Sequence, residues 1–127
     1  MDVKLTDFGR KQAFKLSEVL QNIEVDSVHC SDLQRSIDTT FFALAFPEED
    51  SVRQAKELRE LNFGEHEGLH FDNLPQMEKA RFSHPDFKAK GGEGWPEVSL
   101  RAQTYFASLN PGTHMIFTHG GLITAYL

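Results

Sequence analysis

Cysteine occurs once in this chain, at Cys30, which excludes an internal disulfide framework and leaves no thiolate cluster for zinc. A single thiol fits a reducing compartment, and Cys30 reads as a structural residue. Long apolar runs are also missing: no stretch approaches the roughly 20 apolar residues that a membrane-spanning helix requires. The opening Met1-Asp2-Val3-Lys4 has neither a basic region nor an apolar core behind it, so no secretory signal is visible and the cytoplasm is the expected location. Basic residues are outnumbered, 13 against 19 acidic ones, for a net charge of −6. They form no long run, which argues against a dedicated nucleic-acid surface but leaves room for a local cationic pocket. Internal repeats and low-complexity tracts are absent as well.

What is present is ordinary for a globular protein: 127 residues, 39% hydrophobic and 25% charged, enough for one domain over residues 1–127 with a continuous core. Thr6 can cap a helix with Asp7 in its first turn, and Ala13, Leu16, Leu20 and Ile23 follow at helical spacing. Val25 to Cys30 is β-prone. Ser31 and Asp32 then offer a second helix start, with Leu33, Ile37, Phe41 and Leu44 on one face. Beyond the Pro47 break, Ser51 to Leu58 predicts a strand, and Gly64 and Gly68 punctuate a turn. Residues 83 to 96 read as a loop, and Val98, Ala102, Tyr105 and Leu109 mark a further helix ended by Pro111-Gly112. His114 to Thr118 is an apolar run typical of a strand covered on both faces, and Gly120-Gly121 leads into a helical Leu122 to Leu127. Helices alternating with short strands imply an α/β sheet, with His119 at a carboxyl edge where ligands tend to bind.

Three constellations can carry chemistry. His119, in Thr118-His119-Gly120-Gly121, follows the last strand. Glycines there let backbone amides approach an anion, a helix start adds partial positive charge, and an imidazolium can donate to a phosphoryl oxygen. Arg35, in Ser31-Asp32-Leu33-Gln34-Arg35, offers a planar fork of paired donors to phosphate. Glu60, within Leu58-Arg59-Glu60 and ahead of Gly64-Glu65-His66-Glu67-Gly68, can protonate a leaving oxygen, because a carboxyl beside bound phosphate keeps its proton near neutrality. Each has a plainer reading: a structural histidine, a solvated arginine, an exposed acidic turn. His66, Glu67 and His70 invite a metal, but their spacing matches no established zinc pattern and a surface role is preferred. Lys11, Lys15, Lys88 and Lys90 read as solvated charges.

Taken together and in this order, the motifs resemble those of the histidine phosphatase, or phosphoglycerate-mutase-like, superfamily. Leu5-Thr6-Asp7-Phe8-Gly9-Arg10-Lys11-Gln12-Ala13 is similar to its Leu-Thr-x-x-Gly-x-x-Gln-Ala helix start. Ser31 to Thr39 is similar to its Ser-x-Leu-x-Arg-x-x-x-Thr segment. Leu58-Arg59-Glu60 with Gly64 to Gly68 resembles the acid-donor loop, Gly91-Gly92-Glu93 the Gly-Gly-Glu segment, and Thr118 to Gly121 the second-histidine motif. The resemblance implies a three-layer α/β/α fold with a mostly parallel sheet. It also implies a metal-independent phosphatase of small phosphomonoesters, sugar phosphates or phosphoglycerates, that needs no cofactor and works through a phosphohistidine. Arg35, His119 and Gly120 would hold the phosphoryl group, and Glu60 would protonate the departing alcohol.

Departures from the family pattern set further expectations. The family opens on a strand ending in Arg-His-Gly, whose histidine is phosphorylated, and this sequence contains no such motif. The chain ends at Leu127, soon after the second histidine, so by this resemblance it is a partial domain lacking the first strand and a carboxyl-terminal part. Gly94 stands where a serine is usual. His29, His66, His70, His84 and His114 are poor substitutes for the nucleophile, since a phosphorylated imidazole must lie in line with the leaving oxygen. A missing strand would leave open sheet edges, so poor solubility or homo-oligomerisation is expected unless another segment fills the gap. Two alternatives accompany the phosphatase reading. One is a mutase, disfavoured by the short Leu69 to Lys90 span after the donor loop. The other is a phosphate-binding or regulatory protein without turnover.

Overall fold

The computed structural model describes residues 2–68, 76–77, 81 and 84–127, which divide into two compact units. A sheet unit comprises Asp2–Arg59 and Ser108–His119, and a loop-and-helix unit comprises Glu60–Ala107 and Gly120–Leu127. His70 and the start of the expected loop at Ser83 lie outside the described residues. Among the described residues no helix is long and apolar enough to cross a membrane.

The sheet unit is α/β. Helix α1 (Asp7–Leu20) begins where the sequence places it: the Thr6 hydroxyl accepts the Gly9 N–H at 3.0 Å and Asp7 sits in the first turn, satisfying an orphan donor and complementing the helix dipole. Strand β1 (Ser27–Ser31), helix α2 (Gln34–Ala43), strand β2 (Val52–Ala55) and strand β3 (His114–Phe117) complete the unit. The strands lie in the order β2-β1-β3, and both ladders are parallel, with Val28 opposite Val52 and Met115, and Cys30 opposite Gln54 and Phe117. Parallel neighbours need a crossover, and α2 supplies it between β1 and β2.

Several boundaries and faces differ from the sequence expectation. The β-prone stretch pairs two residues late, and the expected strand through Leu58 ends at Ala55, where a 3₁₀ turn (Lys56–Leu58) takes over. Ser31 and Asp32 do not cap α2. The carboxylate of Asp2 accepts the Gln34 N–H at 2.6 Å, a long-range cap that local pattern cannot reveal. In α1 the buried positions are Ala13 and Ser17, while Leu16 is 48% exposed. In α2 they are Ser36, Thr40 and Ala43, with Ile37, Phe41 and Leu44 only half-buried. These helices pack on each other, and their deepest positions carry small side chains where leucine and phenylalanine were expected. β3, which the apolar run predicts to be covered on both faces, is half-buried throughout, and among the described residues it has only β1 beside it. Cys30 is fully buried, and that burial pushes its thiol pKa up despite a hydrogen bond with Thr40, as suits a structural cysteine.

The amino ends of β1 and β3 carry a polar chain. Ser27 Oγ lies 2.6 Å from His29 Nε2 and 2.6 Å from His114 Nδ1, and His114 Nε2 lies 2.7 Å from the Asn110 carbonyl oxygen. A carbonyl only accepts, so His114 Nε2 carries the proton. With a neutral His114 ring, the Ser27 hydroxyl donates to Nδ1 and accepts from His29 Nε2–H. His29 is 1% exposed, and its pKa is lowered by burial, with Arg53 and His114 adding to the effect. The folded state therefore binds fewer protons than the unfolded chain just below the ordinary histidine value. The stability that neutral His29 supports is complete above about pH 6.5 and is lost as pH falls toward its lowered folded value, at no more than about 1.4 kcal/mol per pH unit. Urea melts between pH 7.5 and 5 should show this loss, and His29→Asn should flatten it; an unchanged slope in that variant would assign the acid sensitivity elsewhere.

In the loop-and-helix unit, Leu61, Val98, Ala102 and Leu122 form a buried cluster backed by Phe63, Trp95, Phe106 and Ala125. Helix α3 (Trp95–Ala107) contributes Val98 and Ala102, one turn apart, and helix α4 (Gly120–Tyr126) contributes Leu122. α3 starts three residues earlier than the periodicity suggested. Pro96 is compatible with a first helical turn, whose N–H groups have no intrahelical acceptor, and the Glu97 carboxylate accepts the Gly94 N–H at 3.4 Å.

Candidate active site

The sheet unit brings Arg35 and His119 to one end. Arg35 lies in the first turn of α2, four residues beyond the carboxyl end of β1, and is half-buried. His119 lies two residues beyond the carboxyl end of the neighbouring β3 and is 8% exposed. The pairing of Cys30 with Phe117 sets both strand ends at the same edge. The Ser36 hydroxyl donates to the Phe117 carbonyl at 3.1 Å, fastening the start of α2 to the end of β3, and Thr118 Oγ1 donates to the Leu58 carbonyl at 2.6 Å. Arg35 and His119 thus stand at the carboxyl edge of a parallel sheet, the edge at which ligands of such sheets tend to bind. His114, at the other end of β3, belongs to the Ser27 and His29 chain and not to this edge.

Asp32, in the same motif as Arg35, serves a different partner. Its carboxylate accepts from Arg59 Nε at 2.6 Å and Nη2 at 2.7 Å. That two-pronged pair lowers the Asp32 pKa and raises that of Arg59. Arg59 is therefore engaged by the sheet unit immediately before the chain reaches Glu60.

Glu60 and Gly120 belong to the loop-and-helix unit. Glu60 is half-buried, and its Oε1 accepts the Leu61 N–H at 2.9 Å while Oε2 accepts the Gly121 N–H at 3.1 Å. A Cβ on Gly121 would sit 2.2 Å from Glu60 Oε1, so the second glycine of the His-Gly-Gly motif makes room for this carboxylate. The Gly121 amide, which the sequence reading aimed at an anion, is thus taken by Glu60. Gly120 is exposed and opens α4.

Glu93, matched to the Gly-Gly-Glu segment, receives Arg101 Nε at 2.8 Å on Oε2 and Arg101 Nη2 at 3.0 Å on Oε1. Oε1 also accepts the Asn62 N–H at 2.9 Å. Burial opposes its charge, but the Arg101 fork and the Asn62 amide together hold its carboxyl below the usual range. Sequence reasoning did not single out Arg101, and nothing local marks it: an arginine one residue before the buried Ala102 on a helix reads as a solvated flank. His66 stacks on Phe87 with ring centroids 6.5 Å apart, and Glu67 accepts the Phe63 N–H at 2.8 Å, so both have structural partners. Among the described residues no three His, Cys, Asp or Glu side chains are grouped to hold a metal ion.

The chain is similar to several known proteins. Fructose-2,6-bisphosphatase TIGAR of Xenopus tropicalis is 31% identical over 116 residues, covering 86% of this chain and 41% of that protein. Adenosylcobalamin/alpha-ribazole phosphatase of Escherichia coli is 29% identical over 94% of this chain and 63% of its own length. The chain thus spans about half the length of these curated relatives. Mycobacterial glucosyl-3-phosphoglycerate phosphatase, solved in complex with inorganic phosphate, superposes with a TM-score of 0.84 at 28% identity over 99% of this chain and 68% of that one. The family model for the histidine phosphatase superfamily (branch 1) matches residues 1–127, and this chain belongs to that superfamily.

Proposed function

We propose that this chain carries the phosphate-holding and proton-donating parts of a metal-independent, cytoplasmic phosphatase of small phosphomonoesters. The observation that carries the reading is the convergence of Arg35 and His119 on the carboxyl edge of β1 and β3. The Arg35 guanidinium and the ring N–H of His119 there offset charge on the transferring phosphoryl group, a preorganised electrostatic effect of several kcal/mol in such sites. Glu60, held on two backbone amides, protonates the departing alcohol as the phosphorus–oxygen ester bond breaks and the phosphoryl group passes to the histidine that an Arg-His-Gly strand would supply in the complete domain, and water then hydrolyses that phosphohistidine. Sugar phosphates and phosphoglycerates are the substrate class, as the names of the relatives suggest for a small, polar phosphoryl donor.

The sequence contains no Arg-His-Gly, so the same pocket without turnover is the second reading. Phosphate release from an aryl phosphate and a sugar-phosphate panel separates the two. The 127-residue chain should bind phosphate competitively with little release, and joining a strand ending in Arg-His-Gly ahead of Leu5 should restore release that His119→Ala and Glu60→Gln each remove. Release by the unextended chain that disappears in His119→Ala would show that another nucleophile operates. A joined chain that folds and binds phosphate but stays inactive would favour the binding-only reading.

A further inference from the structure

We propose that Arg101 is the positioning residue for the Glu60 carboxyl group, acting from α3 through the backbone of residues 60–62. The functional value of this clamp rests on the reading of Glu60 as proton donor, whereas its geometry does not. Arg101 Nη2 donates to the Glu60 carbonyl oxygen at 3.2 Å as well as to Glu93 Oε1. Glu93 in turn accepts the Asn62 N–H through its carboxylate and donates its own N–H to the Asn62 carbonyl at 2.8 Å. Between these fixed points the Leu61 side chain is sunk, 1% exposed, against Val98, Ala102 and Leu122. Three backbone groups and one buried side chain therefore fix the segment from which Glu60 projects. Only its side-chain torsions remain, and the Leu61 and Gly121 amides settle those.

An exposed ion pair would contribute little. Here the two side chains are 21% and 24% exposed, and the pair serves mainly to aim backbone groups. Arg101 suits the task because one planar fork meets both Glu93 oxygens and has a donor left for the Glu60 carbonyl. A lysine ammonium is a point charge on a flexible stem and cannot span those three acceptors in one plane. Positioning of this kind matters because proton transfer requires the donor within hydrogen-bond reach of the leaving oxygen.

The Gly121 amide resonance provides the test, because its N–H rests on Glu60 Oε2. In the 127-residue chain its shift should follow the titration of Glu60, and Glu60→Gln should abolish that response. Arg101→Met should reduce the response severalfold while the Leu122 methyl dispersion persists, and Arg101→Lys should recover part of it. A full response in folded Arg101→Met overturns the proposal. If that variant unfolds, Arg101→Lys decides alone, and an undiminished Gly121 response in it is equally contrary. Failure of the donor reading would appear elsewhere, as phosphate release indifferent to Glu60→Gln in the chain joined to Arg-His-Gly, with the Gly121 response intact.

Discussion

Replacing Gly64 by alanine is expected to cost about 3 kcal/mol and to lower Tm by on the order of 10 °C, because two independent penalties fall on one Cβ. Gly64 has φ of 55°, and an added Cβ would lie 2.2 Å from the Lys90 carbonyl oxygen and 2.5 Å from the Gly92 nitrogen, both backbone atoms that cannot swing aside. Gly92 faces it across the crossing, where a Cβ would lie 2.4 Å from the Asn62 carbonyl oxygen. The two strands of loop are laced by Glu65 N–H to Lys90 O at 3.0 Å and Glu93 N–H to Asn62 O at 2.8 Å. Gly91 provides the control: its φ is 75° but a Cβ there meets nothing within 4 Å, so Gly91→Ala should cost only the conformational penalty, about 1 kcal/mol. Thermal melts followed by circular dichroism compare the two directly. Equal losses would mean that the backbone crossing contributes nothing and that only the left-handed conformation matters.

Arg35→Ala is expected to weaken phosphate binding by about 100-fold, the loss of two charge-assisted hydrogen bonds at roughly 1.5 kcal/mol each. Arg35→Lys should retain charge but lose the planar fork, and should fall between the two by about tenfold. The fold should survive either change. The hydrogen bond from Thr39 Oγ1 at 2.7 Å goes to the Arg35 backbone carbonyl, and the buried residues of α2 are Ser36, Thr40 and Ala43. Calorimetric titration with inorganic phosphate reads the effect, and full affinity in Arg35→Ala would remove this side chain from the site.

Much of this arrangement was legible from residue order because it is local. The Thr6 cap, the Gly64 turn and the placement of His119 after a parallel strand each depend on a few consecutive residues. What escaped the sequence depends on partners far along the chain. Asp2 caps a helix that begins at Gln34, Asp32 forks with Arg59, and Arg101 reaches Glu93 and Glu60, none of which periodicity can specify. The faces of α1 and α2 fall only partly where the spacing puts them, Ala13 being buried as expected while the other deep positions differ, for a related reason. Hydrophobic spacing reports where large side chains recur, whereas the deepest positions of these helices are small: Ala13 and Ser17, and Ser36, Thr40 and Ala43. Gly121 was read as a route for an amide to reach an anion, but its missing side chain admits the Glu60 carboxylate.

The central claim, that Arg35 and His119 share one phosphoryl site, is tested most directly by following the arginine Nε–H and histidine ring resonances as inorganic phosphate is added. His29, in the middle of β1, and His114, at the amino end of β3, both bonded to Ser27, serve as internal controls on the same sheet. The account predicts that Arg35 and His119 shift together along one saturable curve while His29 and His114 stay in place. Saturable shifts confined to His29 and His114, or none at Arg35 and His119, would contradict it.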